Sequence, residues 1–299
     1  MVKKYSIVSI LTLDRLNLTK KAVNSILEKS VEDVKIIFFD NGSKDGTIPY
    51  LNKLKDAYPS KIDFLKSETN LGVAAGRNKI LRHVISNYGD NWRWTLNLDN
   101  DCIVHEGYDV ALTDCFQETR ALAVCPKLIQ PDGRIFHNAY NGFLINLNYM
   151  QLKLEYADNV DLRCDDPKVS KRIESDVILG TSAKTPEFLH KVGFYDEGHK
   201  IGWEDFSIAL KAFGLKKEYF LKWKQKNKHR GENWVPLRQL MNNEKNLAKL
   251  VIYEPSCKIT HDHPVTNEHA DYEKIRWRTE TIHESTNHFE DVWGIRPIM

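Results

Sequence analysis

Hydrophobic and polar positions alternate in blocks along the first hundred residues: an apolar run of strand length, then apolar positions at helical spacing. Residues 5–13 are β-branched and aliphatic and read as a buried strand, followed by helical spacing in Ala22, Val23, Ile26 and Leu27. Residues 34–39 form a second strand, and Ile48, Leu51, Leu54 and Tyr58 share one face of the next helix. A short third strand at 62–65 and a third helix at 73–85 precede an apolar run from Trp94 that ends in Asp99-Asn100-Asp101. Strand alternating with helix predicts an α/β fold with a mostly parallel, doubly wound sheet flanked by helices. Right-handed crossovers place the strand ends on one edge. The polar loops at 12–15, 40–45 and 70–78 then gather beside Asp99 and Asp101.

The second half is less regular. Residues 122–129 read as a strand, 143–154 as strand or irregular structure, and 158–171 as a charged loop. Residues 177–183 read as a buried strand running into a small-residue turn. Gly202-Trp203-Glu204-Asp205-Phe206 enters a helix with Phe206, Ala209, Leu210 and Phe213 on one side. Residues 250–253 and 256–260 are strand-like and deliver His261-Asp262-His263, and the tail from residue 275 reads as a helix.

Composition narrows the classes. At 299 residues with 41% hydrophobic and 28% charged positions, the chain has ample core for a globular protein. A formal net charge of +2 gives no reason to expect a nucleic-acid partner. Local basicity is concentrated at 216–230, where lysines surround Tyr219, Phe220 and Trp223; this is either a solvated helix face or a peripheral contact for an anionic membrane surface. Five scattered cysteines without a C-x-x-C pair argue against a disulfide framework and for a reducing, cytoplasmic setting. No run of about 18 apolar residues is present, so no membrane span is expected.

Candidate chemistry starts at Asp99 and Asp101. Residues two apart on extended chain project to the same side, and two carboxylates aimed at one point suit a cation. An oxygen-rich, incomplete shell fits Mg²⁺ or Mn²⁺ that also binds phosphate; the plain alternative is an Asx-rich turn closing a strand. Asp40 ends a buried strand where it could accept hydrogen bonds from a nucleobase, with Gly42 allowing close approach of backbone, or it simply makes a tight turn. Arg77 offers a forked donor for phosphate or carboxylate. Neither a Rossmann fingerprint nor a P-loop occurs. Glu204 and Asp205 at a helix start either complement the dipole or serve as a base.

Four motifs in order carry a resemblance: Thr12-Leu13-Asp14-Arg15, Asp40-Asn41-Gly42-Ser43-Lys44-Asp45, the stretch from Asn70 and Gly72 to Arg77-Asn78, and Asp99-Asn100-Asp101. In this the chain resembles family 2 glycosyltransferases of the GT-A fold. The resemblance implies an inverting transfer of one sugar from a nucleotide diphosphate sugar, a UDP-sugar first among them, to a glycan or other acceptor hydroxyl in polysaccharide or glycoconjugate synthesis. It implies that Thr12, Asp14, Arg15, Asp40, Asn41, Gly72, Arg77, Asn78, Asp99, Asn100 and Trp203 bind the donor, with Asp40 on the base. It implies that Asp99, Asp101 and His261 hold Mn²⁺ (or Mg²⁺), with His263 the alternate ligand. Asp205 becomes the base and Glu204 its neighbour in catalysis. Asn41 stands where the family usually has a second Asp. Glu273-Lys274-Ile275-Arg276-Trp277 is similar to the Gln-x-x-Arg-Trp of processive members but starts with the wrong residue, which implies a non-processive enzyme. The expected organisation is a catalytic domain at 1–215, its nucleotide half at 1–101, and a basic, partly helical extension at 216–299 lying over the acceptor side. Two rivals remain: an inactive GT-A-like binding or scaffold module, and a sugar nucleotidyltransferase, although the acids are all present and the Gly-rich loop of the latter is missing after the first strand.

Overall fold

A computed structural model describes residues 5–136, 142–154, 162–226, 234–242, 244, 250–262 and 278–298. The expected alternation is found in the first hundred residues. Strands β1 (Tyr5–Thr12), β2 (Val34–Asp40), β3 (Ile62–Lys66) and β4 (Trp92–Asp99) alternate with helices α1 (Leu16–Lys29), α2 (Thr47–Ala57) and α3 (Val73–Tyr88). All four strands are parallel, with Thr12 opposite Asp40 and Leu11 opposite Asp99, so their polar carboxyl ends lie side by side. The aliphatic residues between them are buried on both faces, as a helix-covered parallel sheet requires.

Beyond β4 the chain adds β5 (Cys102–Val104), α4 (Tyr108–Thr119), β6 (Ala123–Ile129), β7 (Phe143–Asn146), β8 (Gln151–Leu154), β9 (Ile173–Glu174), β10 (Ala183–Lys184), α5 (Pro186–Val192), α6 (Glu204–Ala212) and α7 (Lys217–Lys226). It continues with β11 (Val235–Pro236), α8 (Leu237–Met241), β12 (Val251–His261), α9 (Thr279–Trp293) and β13 (Arg296–Pro297). Among the described residues the central sheet runs β3-β2-β1-β4-β10-β6-β12-β5, with β9 on β12; a small second sheet runs β11-β7-β8-β13. Strands β6 and β12 are parallel to each other, whereas β10 is antiparallel to both β4 and β6. The protein is therefore a GT-A-type α/β fold whose mostly parallel sheet is flanked by helices.

Three differences from the sequence pattern have local causes. Residues 177–182 are largely buried but form no strand; pairing starts only at Ala183, because Thr181 and Ser182 turn the chain, Ser182 Oγ donating to the Leu179 carbonyl at 2.6 Å. The two strand-like pieces near 250–260 are one strand, β12, with a register shift between Glu254 and Lys258, where Pro255 cannot donate to the ladder. In α7 the aromatic side chains turn inward: Phe220 and Trp223 are buried while the lysines remain outside. Residues 227–230, His263 and residues 273–277 lie outside the described residues. The expected tail helix is α9, and its Ile282 reaches the cleft described next.

Candidate active site

The carboxyl ends of β1, β2 and β4 open onto a cavity of about 490 Å³. Its walls include Leu13, Arg15, Asn41, Asn70, Gly72, Arg77 and residues 99–101 from the first half. The second half contributes Phe136, Gly180, Thr181, residues 201–206, His261 and Ile282.

On the side built from the first hundred residues the loops are tied to one another. Thr12 Oγ1 donates to Asp40 at 3.0 Å; Gly42 N, Ser43 N and Ser43 Oγ add bonds of 3.1, 2.9 and 2.5 Å to the same carboxylate. With both oxygens occupied and the side chain fully buried, Asp40 braces its loop from behind the wall and does not line the cavity. Asn41 does line it. Its Nδ2 donates to Asn70 Oδ1 at 2.8 Å and its Oδ1 accepts from Leu71 N at 2.8 Å. Asp14 and Arg15 both sit at positive φ, 51° and 61°, a costly choice for residues with a Cβ. Asp14 spends its carboxylate on Lys44 N at 2.6 Å, while Arg15 turns inward to Asp101, Nη1 to Oδ2, at 2.9 Å. Gly72 is required by close approach as well as by its φ of 89°: a Cβ there would stand 2.6 Å from the Lys200 carbonyl oxygen. Asn78 lies off the cavity and clamps the loop at Tyr195, donating to its carbonyl at 2.9 Å and accepting from its N–H at 3.0 Å.

The acids from the two halves meet on Arg77. Its Nη1 reaches Asp205 Oδ1 at 3.0 Å and Glu204 Oε1 at 3.4 Å, and its Nη2 reaches Asp99 Oδ1 at 3.4 Å. Burial opposes the guanidinium charge, but Asp205 and Asp99 outweigh it and hold Arg77 firmly protonated. Gly180 leaves room for this meeting, since a Cβ would lie 2.7 Å from Arg77 Nη2. Trp203, at φ 68°, precedes α6 and donates Nε1–H to Thr286 Oγ1 of α9 at 2.8 Å.

Environment separates the two acids at the start of α6. The Glu204 side chain is buried, Oε2 has no hydrogen-bond partner among the described residues, and burial followed by repulsion from Asp205 pushes its carboxyl up to about 7. Asp205 keeps 29% of its side chain exposed, on the cavity. Its pKa is also raised by burial, with Arg77 and Lys184 pulling the other way.

At the end of β4 the pair divides. Asp99 opens to the cleft against Arg77, whereas Asp101 is buried between Arg15 and His261, whose Nε2 is 3.2 Å from Oδ1. Asp101, Cys102 and His261 bring ligand atoms within 4.8 Å of one another, and Asp99 is not in that group. Cys102 is a poor thiolate, its pKa raised well above normal by burial and then by Asp101. Asn100 donates to the Asp14 carbonyl and Thr19 Oγ1, both at 3.1 Å, fixing the turn between the two acids. Phe136 packs edge-on against the His261 ring at 4.3 Å.

Four participants escaped the sequence pattern. Asn97 donates to the Tyr195 hydroxyl at 2.7 Å, and the Tyr195 ring lies under Arg77 at 5.6 Å. Lys184 is fully buried with Nζ on Ser182 Oγ at 2.7 Å, its pKa lowered to about 7 by burial and then by Arg77. Ile282 arrives from α9. Only Lys184 left a trace, as a lone charge after an apolar run.

A model of glycosyl transferase family 2 matches residues 7–172, more than half of the chain, and the chain belongs to that family. No curated protein matches the sequence. Among solved structures, GalNAc-T7 with UDP, GalNAc and Mn²⁺ aligns at 15% identity and TM-score 0.60, covering 87% of this chain and 43% of that one. The mannosyltransferase PcManGT from Pyrobaculum calidifontis, in complex with GDP-Man and Mn²⁺, aligns at 13% identity and TM-score 0.55, covering 96% and 64%. S. aureus TarS 1–349 with UDP-GlcNAc aligns at 12% identity and TM-score 0.54, covering 97% and 67%. The chain thus spans less than two thirds of GalNAc-T7 and PcManGT, and the likeness at these identities establishes the GT-A fold. No helix among the described residues is long and apolar enough to cross a membrane.

Proposed function

We propose that this protein is a metal-dependent, inverting glycosyltransferase that moves one sugar from a nucleotide diphosphate sugar to a hydroxyl of a glycan or other acceptor in polysaccharide or glycoconjugate synthesis. The observation that carries this reading is Arg77, which draws Asp99 of the nucleotide side and Glu204 and Asp205 of the opposite side to one cavity. The family and the nucleotides held by the GT-A neighbours, UDP-GlcNAc and GDP-Man, support a nucleotide-sugar donor.

Asp205 is the base. It faces the cavity, and a carboxylate whose pKa is raised takes a proton more readily. As the acceptor oxygen attacks the anomeric carbon, Asp205 accepts its proton, and the bond from that carbon to the phosphate oxygen breaks with its electrons going to the diphosphate. Attack from the opposite face inverts the carbon. General-base help of this kind is worth about 10²–10⁴-fold. Glu204, buried beside it in the same wall, holds Arg77 in place. The apolar walls at Leu13, Phe136 and Ile282 limit water and hence hydrolysis of the donor.

Asp101 and His261 would hold the divalent cation, with Asp99 at the cleft mouth beside it, and the bound ion would offset the charge of the leaving diphosphate. One carboxylate and one imidazole form a donor set that suits Mn²⁺ better than Mg²⁺. The residue facing the nucleobase is Asn41, with Asn70 beside it, and Asp40 fixes their loop. We place a UDP-sugar first among donors.

A transfer assay over UDP-, GDP- and dTDP-sugars with Mn²⁺ tests this. Release of nucleoside diphosphate from one donor, abolished by EDTA, is the expected result. Binding of a donor with no release in the presence of hydroxyl acceptors would point to a scaffold module instead, and full turnover in EDTA would remove the metal.

A further inference from the structure

A second cluster of ligating side chains lies outside the cleft. Asp196 and His199 come from the loop between α5 and α6, and His288 from the middle of α9. One ligand atom from each lies within 4.8 Å of the other two. His288 Nε2 stands 2.9 Å from Asp196 Oδ2, and the His199 ring meets the His288 ring edge-on at 4.9 Å.

The cluster is built for close approach. Gly198 N–H fixes the other oxygen, Asp196 Oδ1, at 2.9 Å, so Oδ2 is left to point at His288. A Cβ on Gly198 would sit 2.2 Å from His288 Nε2, so only glycine admits the imidazole. His199 is 1% exposed, and among the described residues neither ring nitrogen makes a hydrogen bond of good geometry, the Ser285 main chain offering one of them a looser contact. Burying an imidazole nitrogen without a partner is costly, and a cation bound to the nitrogen that faces Asp196 and His288 removes that cost, leaving the Ser285 main chain to the other.

We propose that Asp196, His199 and His288 form a second metal site, a zinc clamp that ties α9 to the loop leading into Trp203, Glu204 and Asp205. Two imidazole nitrogens and one carboxylate oxygen are a zinc donor set, bound at about 2.0–2.2 Å with water completing the tetrahedron. The side chains of Asp196 and His288 are each 34% exposed, which leaves that fourth position open to solvent. The ion would draw the three side chains slightly inward and replace the direct His288–Asp196 contact. The clamp closes a seam already stitched by weaker bonds. Lys200 and Ile201 N–H donate to Ser285 Oγ at 3.1 and 3.3 Å, and the Lys200 carbonyl accepts from Val73 N at 3.1 Å. Zinc here would therefore stiffen the acceptor wall and hold it against the Gly72 loop, without touching the reacting atoms.

The test uses the full chain, stripped with EDTA, loaded with Zn²⁺ and desalted. His261→Gln serves as the background because it removes a ligand from the candidate catalytic centre. That variant should retain one zinc per chain and melt several degrees higher with zinc than without, since a ligand bound only by the folded state raises apparent stability. Adding His288→Gln should abolish both effects, and Asp196→Asn, at a half-exposed position, should weaken them. Cobalt loaded in place of zinc should give the visible absorption of a tetrahedral ion, again lost with His288→Gln. Desalted His261→Gln that holds no zinc overturns the proposal. So does a His261→Gln/His288→Gln double variant, or His261→Gln/Asp196→Asn, that keeps the full equivalent.

Discussion

The two sides of the cleft are constructed differently. On the nucleotide side, polar side chains close bonds between neighbouring loops: Asp40 with Thr12 and Ser43, Asp14 with Lys44, Asn41 with Asn70. The Asp14 and Asp40 carboxylates are met by main-chain and hydroxyl donors, and the burial of Asp40 is tolerated because those donors surround it. On the acceptor side, charges are gathered from far apart and left partly unmatched. Glu204 has an oxygen without a partner among the described residues, Lys184 is buried with one hydroxyl and the faces of Phe188 and Tyr195 around its ammonium, and both have pKa values moved to about 7. Rigid loops suit the nucleotide-holding role proposed for this side. Perturbed, poorly matched charges suit a site that must move protons.

Arg77 joins the two sides, and removing it should have the largest effect. Arg77→Ala leaves Asp99, Glu204 and Asp205 without their shared cation. Unfolding in urea should show a loss of about 3–5 kcal/mol, the scale for breaking a buried charge network from one end. Arg77→Lys should recover only part of it, because one ammonium cannot fork to three acids. An unchanged urea midpoint would mean that the two halves are not coupled through this residue.

Lys184 sharpens the contrast from the other direction. Its folded pKa, about 7, lies below the ordinary lysine value of 10.5. The unfolded chain therefore binds more protons between those limits, and wild-type stability should rise as pH climbs from 7 to 10.5. The destabilisation is complete below pH 7. Lys184→Met should flatten that slope and stabilise the protein at about pH 6 by about 1–4 kcal/mol. A variant that keeps the slope, or is less stable at that pH, would show that the lysine's charge is compensated after all.

The smallest effects concern Asp40 and Asn41. Asp40→Ala should cost about 1–3 kcal/mol of stability through its unpaired loop donors and move nucleotide affinity less than that. Asn41→Ala should show the reverse, a nucleotide Kd raised more than the urea midpoint is lowered. Calorimetric titration of both variants decides it; a nucleotide Kd that collapses in Asp40→Ala alone would return Asp40 to the base-reading role.

Legibility follows the same division. Strands β1 to β4 and their loops are readable because each element is specified by its own run: continuous apolar residues, helical spacing, then a Gly- or Asx-bearing turn. Position within a motif does not reveal direction. Asp40 and Asn41 are adjacent and chemically alike, and only the donors closing on Asp40 tell which one faces the cleft. Spacing brings Asp99 and Asp101 to one strand end but cannot show that Arg77 and Arg15 draw them apart. Farther along, β10 is two residues long and owes its place to β4 and β6 on either side. Tyr195 and Ile282 enter through contacts between segments far apart in the chain, for which no local pattern exists, and Lys184 showed only as a lone charge after an apolar run.

In the proposed mechanism Asp205, and not its neighbour Glu204, takes the acceptor proton. Single-turnover transfer with the best donor, measured beside donor binding for Asp205→Asn and Glu204→Gln, addresses it directly. Asp205→Asn should bind donor nearly as the wild type does while losing at least about 10²-fold in the chemical step, and Glu204→Gln should lose far less. Transfer by Asp205→Asn at close to the wild-type rate would contradict the assignment, and if Glu204→Gln were then inactive the roles of the two acids would be reversed.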